Sequence, residues 1–474
     1  MVETEEETGG RKQPGLGVAL VPLLAMGVLL AIGYGVYAIK AQVLLIAAAS
    51  IAGVTGWWLG WTWQEMQEGV VDSIRKAMPA ILIMLCVGLL VGSWIACGTI
   101  PMVMYYGLAI LSPKYFLLTA CLVCAVTSLA TGTSWGTIGT LGVAFIGIAQ
   151  AQGIPLGPAA GAIVAGAYFG DKMSPLSDIP NLAPIAAGAN LFDNIRHMTW
   201  SAVPAFLLGL GAYTVVGLRY GGSAMSATAV PSIMTTLERA FTFNVVLLLP
   251  LVVVFAFALA KKPVIPGMLL SVLVALVLAV TVQHASIPEL ANVLSSGYKA
   301  DTGLPEVDTL ISRGGLMSMM ETQLIAFAAF SFGGIMQRTG LLAVILGSVM
   351  RFARRVWSIV VTTVAASVVT AMVTGSSYLA MLIPGELLAP VYRKHNLAAK
   401  NLSRIITEAG GIIVPLVPWS MAGVYITGTI GVPTLAYLPW AFMNYLSVLL
   451  LLLYGATGFT MAHRTREDET QIGS

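Results

Sequence analysis

The stretch ATGTSWGT, Ala130–Thr137, and a second one, VTGSSYLA, Val373–Ala380, decide how the rest of this chain is read. Each lies inside a long apolar run and puts a Thr-Gly pair and further hydroxyl side chains where a membrane helix should continue. Glycine ends a helix at little cost, because it enters the left-handed backbone region without a Cβ clash. The reading is therefore two re-entrant hairpins, over 115–152 and 357–392, each interrupted at its tip.

The setting follows from composition. Of 474 residues, 57% are hydrophobic and 9% charged, with a mean hydropathy of +0.88, whereas a soluble domain carries roughly 25% charged residues. The net charge of +3, spread thinly, gives no footprint for nucleic acid. Cys86, Cys97, Cys121 and Cys124 all lie in apolar runs, and the CxxC of Cys121 and Cys124 has no second ligand pair, so these read as small helix residues. The start MVETEEETGGRKQ lacks a basic n-region and a cleavage site, so the first apolar run is expected to stay as a span.

A span needs about 20 apolar residues. Plain spans are expected at 17–38, 42–60, 78–97, 195–218, 241–260, 263–283, 316–336 and 433–455, and broken spans at 157–184 and 403–425, where prolines, glycines and polar residues interrupt the run. Setting Cys97–Trp135 above Thr339–Tyr378 aligns Gly98 with Gly340 and Thr131-Gly132 with Thr374-Gly375. After a short indel Pro175 falls opposite Pro415. The expected fold is thus an all-α polytopic membrane protein of two inverted repeats, each of five spans plus one re-entrant hairpin, about ten transmembrane helices in total. Its parts are an N-terminal tail (1–16), a first repeat (17–219), a linker (220–240), a second repeat (241–462) and a C-terminal tail (463–474). With both termini cytoplasmic, 17 basic residues fall inside and 6 outside, Lys172 alone remaining within a span. That is the bias of short cytoplasmic loops. Residues 285–315 become an external loop and an amphipathic bridge.

Non-helical backbone at membrane depth is tolerated only where protein or a wet cavity satisfies it. Thr131, Thr133, Ser134 and Thr137 in one tip, with Thr374, Ser376 and Ser377 in the other, offer oxygens suited to Na⁺. The block GDKMSPLSDIPN, Gly170–Asn181, adds two carboxylates, and Pro175 and Pro180 unwind the helix so that Asp171, Asp178 and the Asn181 amide turn to one cavity. A Na⁺ site is expected at Asp178, Asn181, Ser134 and Thr133, with Asp171 as second carboxylate or proton carrier. An ionised aspartate in a span costs about 2.5–3.5 kcal/mol, so a partner or a wet pocket is required. Lys172 is either the partner of Asp171 in a structural pair or, with Glu408 and Glu386, a coupling group; Glu321 is a further candidate. The second repeat, with no aspartates in GGIIVPLVPWSMAG (Gly410–Gly423), contributes carbonyls and Ser420. His197, His284, His395 and His463 read as interfacial. Carboxylates that hold either a proton or a sodium ion point to cation/proton exchange by alternating access. No cofactor is expected; Na⁺ and H⁺ are cargo.

Gly132-Thr-Ser134-Trp-Gly136 also matches G-x-S-x-G, the nucleophile elbow of serine hydrolases. An elbow requires a preceding strand and a histidine base, whereas this serine sits in a helical context with no histidine at membrane depth. The chain therefore reads as a transporter and not as an enzyme. A passive channel fits two inverted broken-span copies poorly.

TGTSWGTIGTLG, GAYFGDKMSPLSD, NLAP and NIRHM together resemble the NhaC-type sodium/proton antiporter family over nearly the whole chain. The resemblance implies a multi-pass transporter of the bacterial plasma membrane, a homodimer with a scaffold and an elevator-like moving domain. It points to Thr131, Gly132, Thr133, Ser134, Trp135, Asp171, Asp178 and Asn181 as site residues. Where the family commonly reads Asp-Thr-Thr-Asn, this chain has Asp178-Ile179-Pro180-Asn181. Two hydroxyls are lost, which leaves open a sodium-coupled transporter of a small organic solute such as an amino acid or a malate- or lactate-type carboxylate.

Overall fold

Most boundaries in this chain are set by local backbone chemistry. The computed structural model describes residues 12–220 and 229–464, so most of the N-terminal tail, part of the linker 220–240 and most of the C-terminal tail lie outside the described residues. Helix α1 (Leu16–Val28) continues as a π-turn to Tyr34 and is followed by α2 (Ala41–Trp58). Helix α3 (Trp63–Ala96) starts well before the span expected at 78–97. Its first turn is fixed by a capping box in which the Thr62 hydroxyl accepts from the Glu65 amide and the Glu65 carboxylate accepts from the Thr62 amide. At 34 residues it is about 51 Å long, well beyond the ~30 Å hydrocarbon layer. Its N-terminal half therefore has room to line an approach to the membrane interior.

Gly98, at φ +89°, turns the chain into the short helix α4 (Thr99–Ile110). The first hairpin descends as α5 (Phe116–Thr131) and stops at Gly132, φ +70°. Thr133 then caps the returning turn α6 (Ser134–Thr137), which passes through a π-turn into α7 (Val143–Ala151). The first broken span is α8 (Leu156–Met173) and α9 (Asp178–Ala187), with Ser177 capping the second piece. Helix α8 lies tightly on α5: a Cβ at Gly166 would run into the Cys121 carbonyl, and one at Gly170 would come within 2.7 Å of Ser128. The Ser128 hydroxyl donates to the Ala167 carbonyl at 2.6 Å across this contact, the small-residue packing typical of helices in lipid.

After α10 (Leu191–Tyr220), the stretch read as a linker carries α11 (Ala229–Ala240). The span expected at 241–260 is a 3₁₀ turn leading into α12 (Leu249–Leu259), bent by 100° from α11. Then comes α13 (Val264–Thr281), and the loop 285–315 holds two short helices, α14 (Ile287–Ser296) and α15 (Pro305–Ile311). Helix α16 (Leu316–Arg338) is followed by Gly340, φ +73°, and the short α17 (Leu341–Met350). The second hairpin is α18 (Val356–Thr374) and α19 (Ser377–Lys394), broken at Gly375, φ +64°, and capped by Ser376. The second broken span runs from α20 (Ala399–Ile406) through a π-turn, Thr407–Gly411, to α21 (Met421–Ile430), capped by Ser420. A short α22 (Thr434–Tyr437) precedes α23 (Phe442–Thr457). Among the described residues eight helices are long and apolar enough to cross a membrane, and up to eleven if each bent pair is one span.

Contacts sort the connections into two groups at opposite ends of α3 and α16. At one end Glu68 pairs with Arg338 at 3.0 Å and, just before α3 begins, the Lys12 amide donates to the Leu59 carbonyl at 3.1 Å. At the other, Lys40 pairs with Glu321 at 2.7 Å and Gln283 donates to the Cys97 carbonyl at 3.1 Å. Glu321, considered as a coupling group, is thus spent on an exposed ion pair.

Candidate functional site

Both hairpin tips and both broken spans border one cavity of about 690 Å³. The first tip contributes Gly132, Thr133 and Trp135, the first broken span Asp171, Ser177 and Asp178, the second tip Thr374, Ser376, Ser377 and Tyr378, and the second broken span Met421, Ala422 and Tyr425. The N-terminal half of α3 forms another wall through Ser73, Lys76, Ala77 and Ala80. Lys76 is exposed, about two turns along α3 from Glu68, and Val254, Val264 and Met268 of α12 and α13 border the cavity as well.

The two carboxylates have different surroundings. Asp171, on the last turn of α8, is buried and accepts from the Ser134 hydroxyl at 2.6 Å, tying the broken span to the first tip. Asp178 opens α9 beside its cap, Ser177, faces the cavity, and accepts from the Tyr378 hydroxyl of the second hairpin at 3.1 Å. A carboxylate at a helix N-terminus is favourably placed against the unpaired amides there. Each acid is thus contacted by a different hairpin, and the cavity is the place where the two halves of the chain meet.

Several residues singled out in the sequence stand beside the cavity instead of lining it. The Thr131 hydroxyl bonds back to the Thr127 carbonyl and that of Thr137 to the Thr133 carbonyl. Asn181 spends its amide hydrogens on the carbonyls of Pro175, at 3.1 Å, and Ser177, at 2.5 Å, so it clamps the unwound turn that carries Asp178. Ser420 caps α21 and donates to the Val414 carbonyl at 2.7 Å. Glu386 is exposed on α19, two turns beyond Tyr378 on the same face.

The suggested structural pair of Asp171 with Lys172 is not formed. Lys172 reaches Glu408 in the other half of the chain at 2.7 Å, and both side chains are fully buried. Ser447 accepts from the same ammonium at 3.0 Å, and Ser201 donates to the second Glu408 oxygen at 2.9 Å. Neighbouring residues on a helix point about 100° apart, which lets Asp171 face the cavity while Lys172 faces α10 and α23. Two candidates considered separately are therefore one buried ion pair joining the two broken spans. His197, read as interfacial, lies near the start of α10 and is buried within the protein, with Nε2 3.0 Å from the Asn401 side-chain oxygen. Ser134, the serine of the G-x-S-x-G match, has a carboxylate for its partner where an elbow needs a histidine. The four cysteines are buried and unpaired.

Of the aromatic part of the site, sequence reasoning named only Trp135, through the family resemblance; Tyr168, Phe330, Tyr378 and Tyr425 were missed. Trp135 stacks on Tyr425 with centroids 4.2 Å apart and planes at 13°, and the Tyr425 hydroxyl donates to the Trp135 carbonyl at 2.6 Å. Tyr168, Phe330 and Tyr378 complete this lining. Tyr378 was within reach of the sequence, since it follows the second tip as Trp135 follows Ser134 in the first. The wall on α3 also left a trace, in the small residues Ser73, Ala77 and Ala80 at helical spacing.

A polytopic helical bundle whose interrupted helices enclose acids and hydroxyls at membrane depth defines a membrane transport protein. Residues 166–459 match the Na⁺/H⁺ antiporter family, and the chain belongs to that family. It is 36% identical to the Na⁺/H⁺ antiporter NhaC of Alkalihalophilus pseudofirmus, over 92% of this chain and 95% of that one. It is also 34% identical to the arginine/ornithine antiporter ArcD of Halobacterium salinarum, over 99% of both chains. A malate-2H⁺/Na⁺-lactate antiporter of Bacillus subtilis is 32% identical over 88% of this chain and 89% of its own.

Proposed function

We propose that this protein exchanges Na⁺ for H⁺ by alternating access, with Asp178 and Asp171 holding either a sodium ion or protons. The observation that carries the reading is the meeting of both carboxylates with the hydroxyl-bearing tips Thr133 and Ser376–Ser377 in one cavity. Asp178 and the tip oxygens are the Na⁺ ligands, and Ser134 holds Asp171 in place for proton transfer. Asn181 acts through the backbone turn it clamps.

The two halves act as inverted repeats. Support comes from matched backbone devices: glycines with positive φ before α4 and α17 and after α5 and α18, and hydroxyl caps at Thr133 and Ser376. The grouping of loop contacts at two ends fits a chain with both termini in the cytoplasm, and on that orientation the cavity is open inward. A homodimeric scaffold with a transport domain moving against it completes the scheme in the bacterial plasma membrane. Exchange or co-transport of an organic solute is the second reading, favoured by a cavity much larger than one ion.

The test uses purified protein in sealed liposomes with a trapped pH dye and an imposed proton gradient. Adding Na⁺ without any organic solute should collapse the gradient, and Asp178→Asn should abolish the response while leaving insertion intact. Full activity in that variant would sink the assignment.

A further inference from the structure

The cavity holds more than an ion needs and has a chemistry of its own. Its volume of about 690 Å³ corresponds to roughly 20 waters at about 30 Å³ each and falls in the range of small-molecule pockets, about 300–1,000 Å³. Its inner walls are the stacked Trp135 and Tyr425 and the ring of Phe330. Such a lining adds nothing to the coordination of Na⁺, which wants oxygens, but it matches an apolar or aromatic body.

The charges decide the sign of the ligand. Asp171 and Asp178 both border the cavity, and the only cation bordering it among the described residues is Lys76, exposed at the mouth. Lys172, next to Asp171 in sequence, faces away, fully buried and held by Glu408. A dicarboxylate placed against the aromatic wall would meet two carboxylates with no arginine or lysine to receive it, a like-charge arrangement that costs several kcal/mol. An ammonium group there makes charge-assisted hydrogen bonds to a carboxylate and a favourable contact with the aromatic faces.

Building on the cation-binding role proposed for the two aspartates, we infer that the cavity takes small monovalent organic ammonium ions in competition with Na⁺. The ammonium sits at Asp178, beside the Tyr378 hydroxyl, and the apolar body lies toward Trp135, Tyr425 and Phe330.

The test follows ²²Na⁺ entry into Na⁺-loaded proteoliposomes of the full chain, strongly buffered to the same pH on both sides. Benzylammonium is compared with phenylacetate, a ligand of similar shape and opposite charge. Benzylammonium should raise the apparent KM for Na⁺ tenfold or more with an unchanged maximal rate, and phenylacetate should leave both as they are. Phe330→Leu should weaken inhibition by benzylammonium several-fold more than it changes the KM for Na⁺. Intact Na⁺ exchange with no effect of benzylammonium, or with inhibition by phenylacetate, overturns the inference and leaves Na⁺ binding standing. If the vesicles show no Na⁺ exchange, that reading fails and thermal unfolding of the detergent-solubilised protein decides the present one. Stabilisation by benzylammonium that disappears in Asp178→Asn supports it, and absence of stabilisation overturns it.

Discussion

Replacing Glu408 by Gln strands the Lys172 ammonium in a site where neither side chain has any exposure. At 2.7 Å the attraction within the pair is about 6 kcal/mol for an effective dielectric constant of about 20. Desolvation costs several kcal/mol per ion and offsets much of it, so the pair contributes little net stability compared with well-packed apolar residues. Breaking it from one side is different, because the surviving charge keeps its desolvation cost and loses its counter-ion. Ser447 remains for Lys172, and Ser201 for Glu408, but a hydroxyl does not neutralise a charge. Glu408→Gln and Lys172→Met should therefore each cost about 3–5 kcal/mol. The double replacement Lys172→Met with Glu408→Leu should recover most of that loss and show a coupling energy above about 2 kcal/mol. The assay is reversible unfolding in mixed detergent micelles, followed by tryptophan fluorescence across the four proteins of the cycle. If the double variant is no more stable than the weaker single one, the pair does not hold the broken spans together and the reasoning fails.

The two hairpin tips should differ in tolerance. Gly132 and Gly375 both have positive φ, at +70° and +64°, but a Cβ at Gly132 would come within 2.7 Å of the Leu176 Cβ, whereas one at Gly375 meets nothing closer than 3.4 Å. Gly375→Ala should cost about 1–2 kcal/mol for the left-handed backbone alone, and Gly132→Ala clearly more in the same unfolding assay; equal losses would contradict the tip geometry. The mouth of the cavity can be located with a cysteine at Lys76, which borders the cavity and is exposed, because all four native cysteines are buried. An impermeant maleimide should label it from the cytoplasmic face only, and labelling from outside would reverse the proposed orientation. Arg338→Ala removes an ion pair whose partners are 42% and 55% exposed and should change stability by less than about 1 kcal/mol; a larger loss would mean that this contact carries packing energy as well.

Features that depend on a few neighbouring residues are legible along the chain itself. The stops at Gly132 and Gly375, and the caps at Thr133 and Ser376, lie where the Thr-Gly pairs placed them. The break between α8 and α9 falls at Pro175, as the proline implied, whereas Pro180, also expected to unwind the chain, sits in the first turn of α9, where a missing amide hydrogen is tolerated. The early start of α3 is also written locally, in the Thr62–Glu65 capping box, although hydropathy alone placed that span from residue 78. Of the site, Thr133, Asp171, Asp178, Thr374, Ser376 and Ser377 were named from sequence and do border the cavity.

The sequence alone settled that this is a helical membrane protein whose helices break at Gly132, Pro175 and Gly375, with two acids beside the middle break. Hydrophobic length, glycine and proline act over one or two helical turns and need no distant partner to be read. The tertiary structure alone decided which groups those acids and cations face. Lys172 lies 236 residues from Glu408 and Tyr378 lies 200 residues from Asp178. The stacking of Trp135 on Tyr425 crosses between the halves in the same way. Such pairings arise when helices from distant parts of the chain pack and turn particular faces together, and no periodicity along a single helix states which face will meet which.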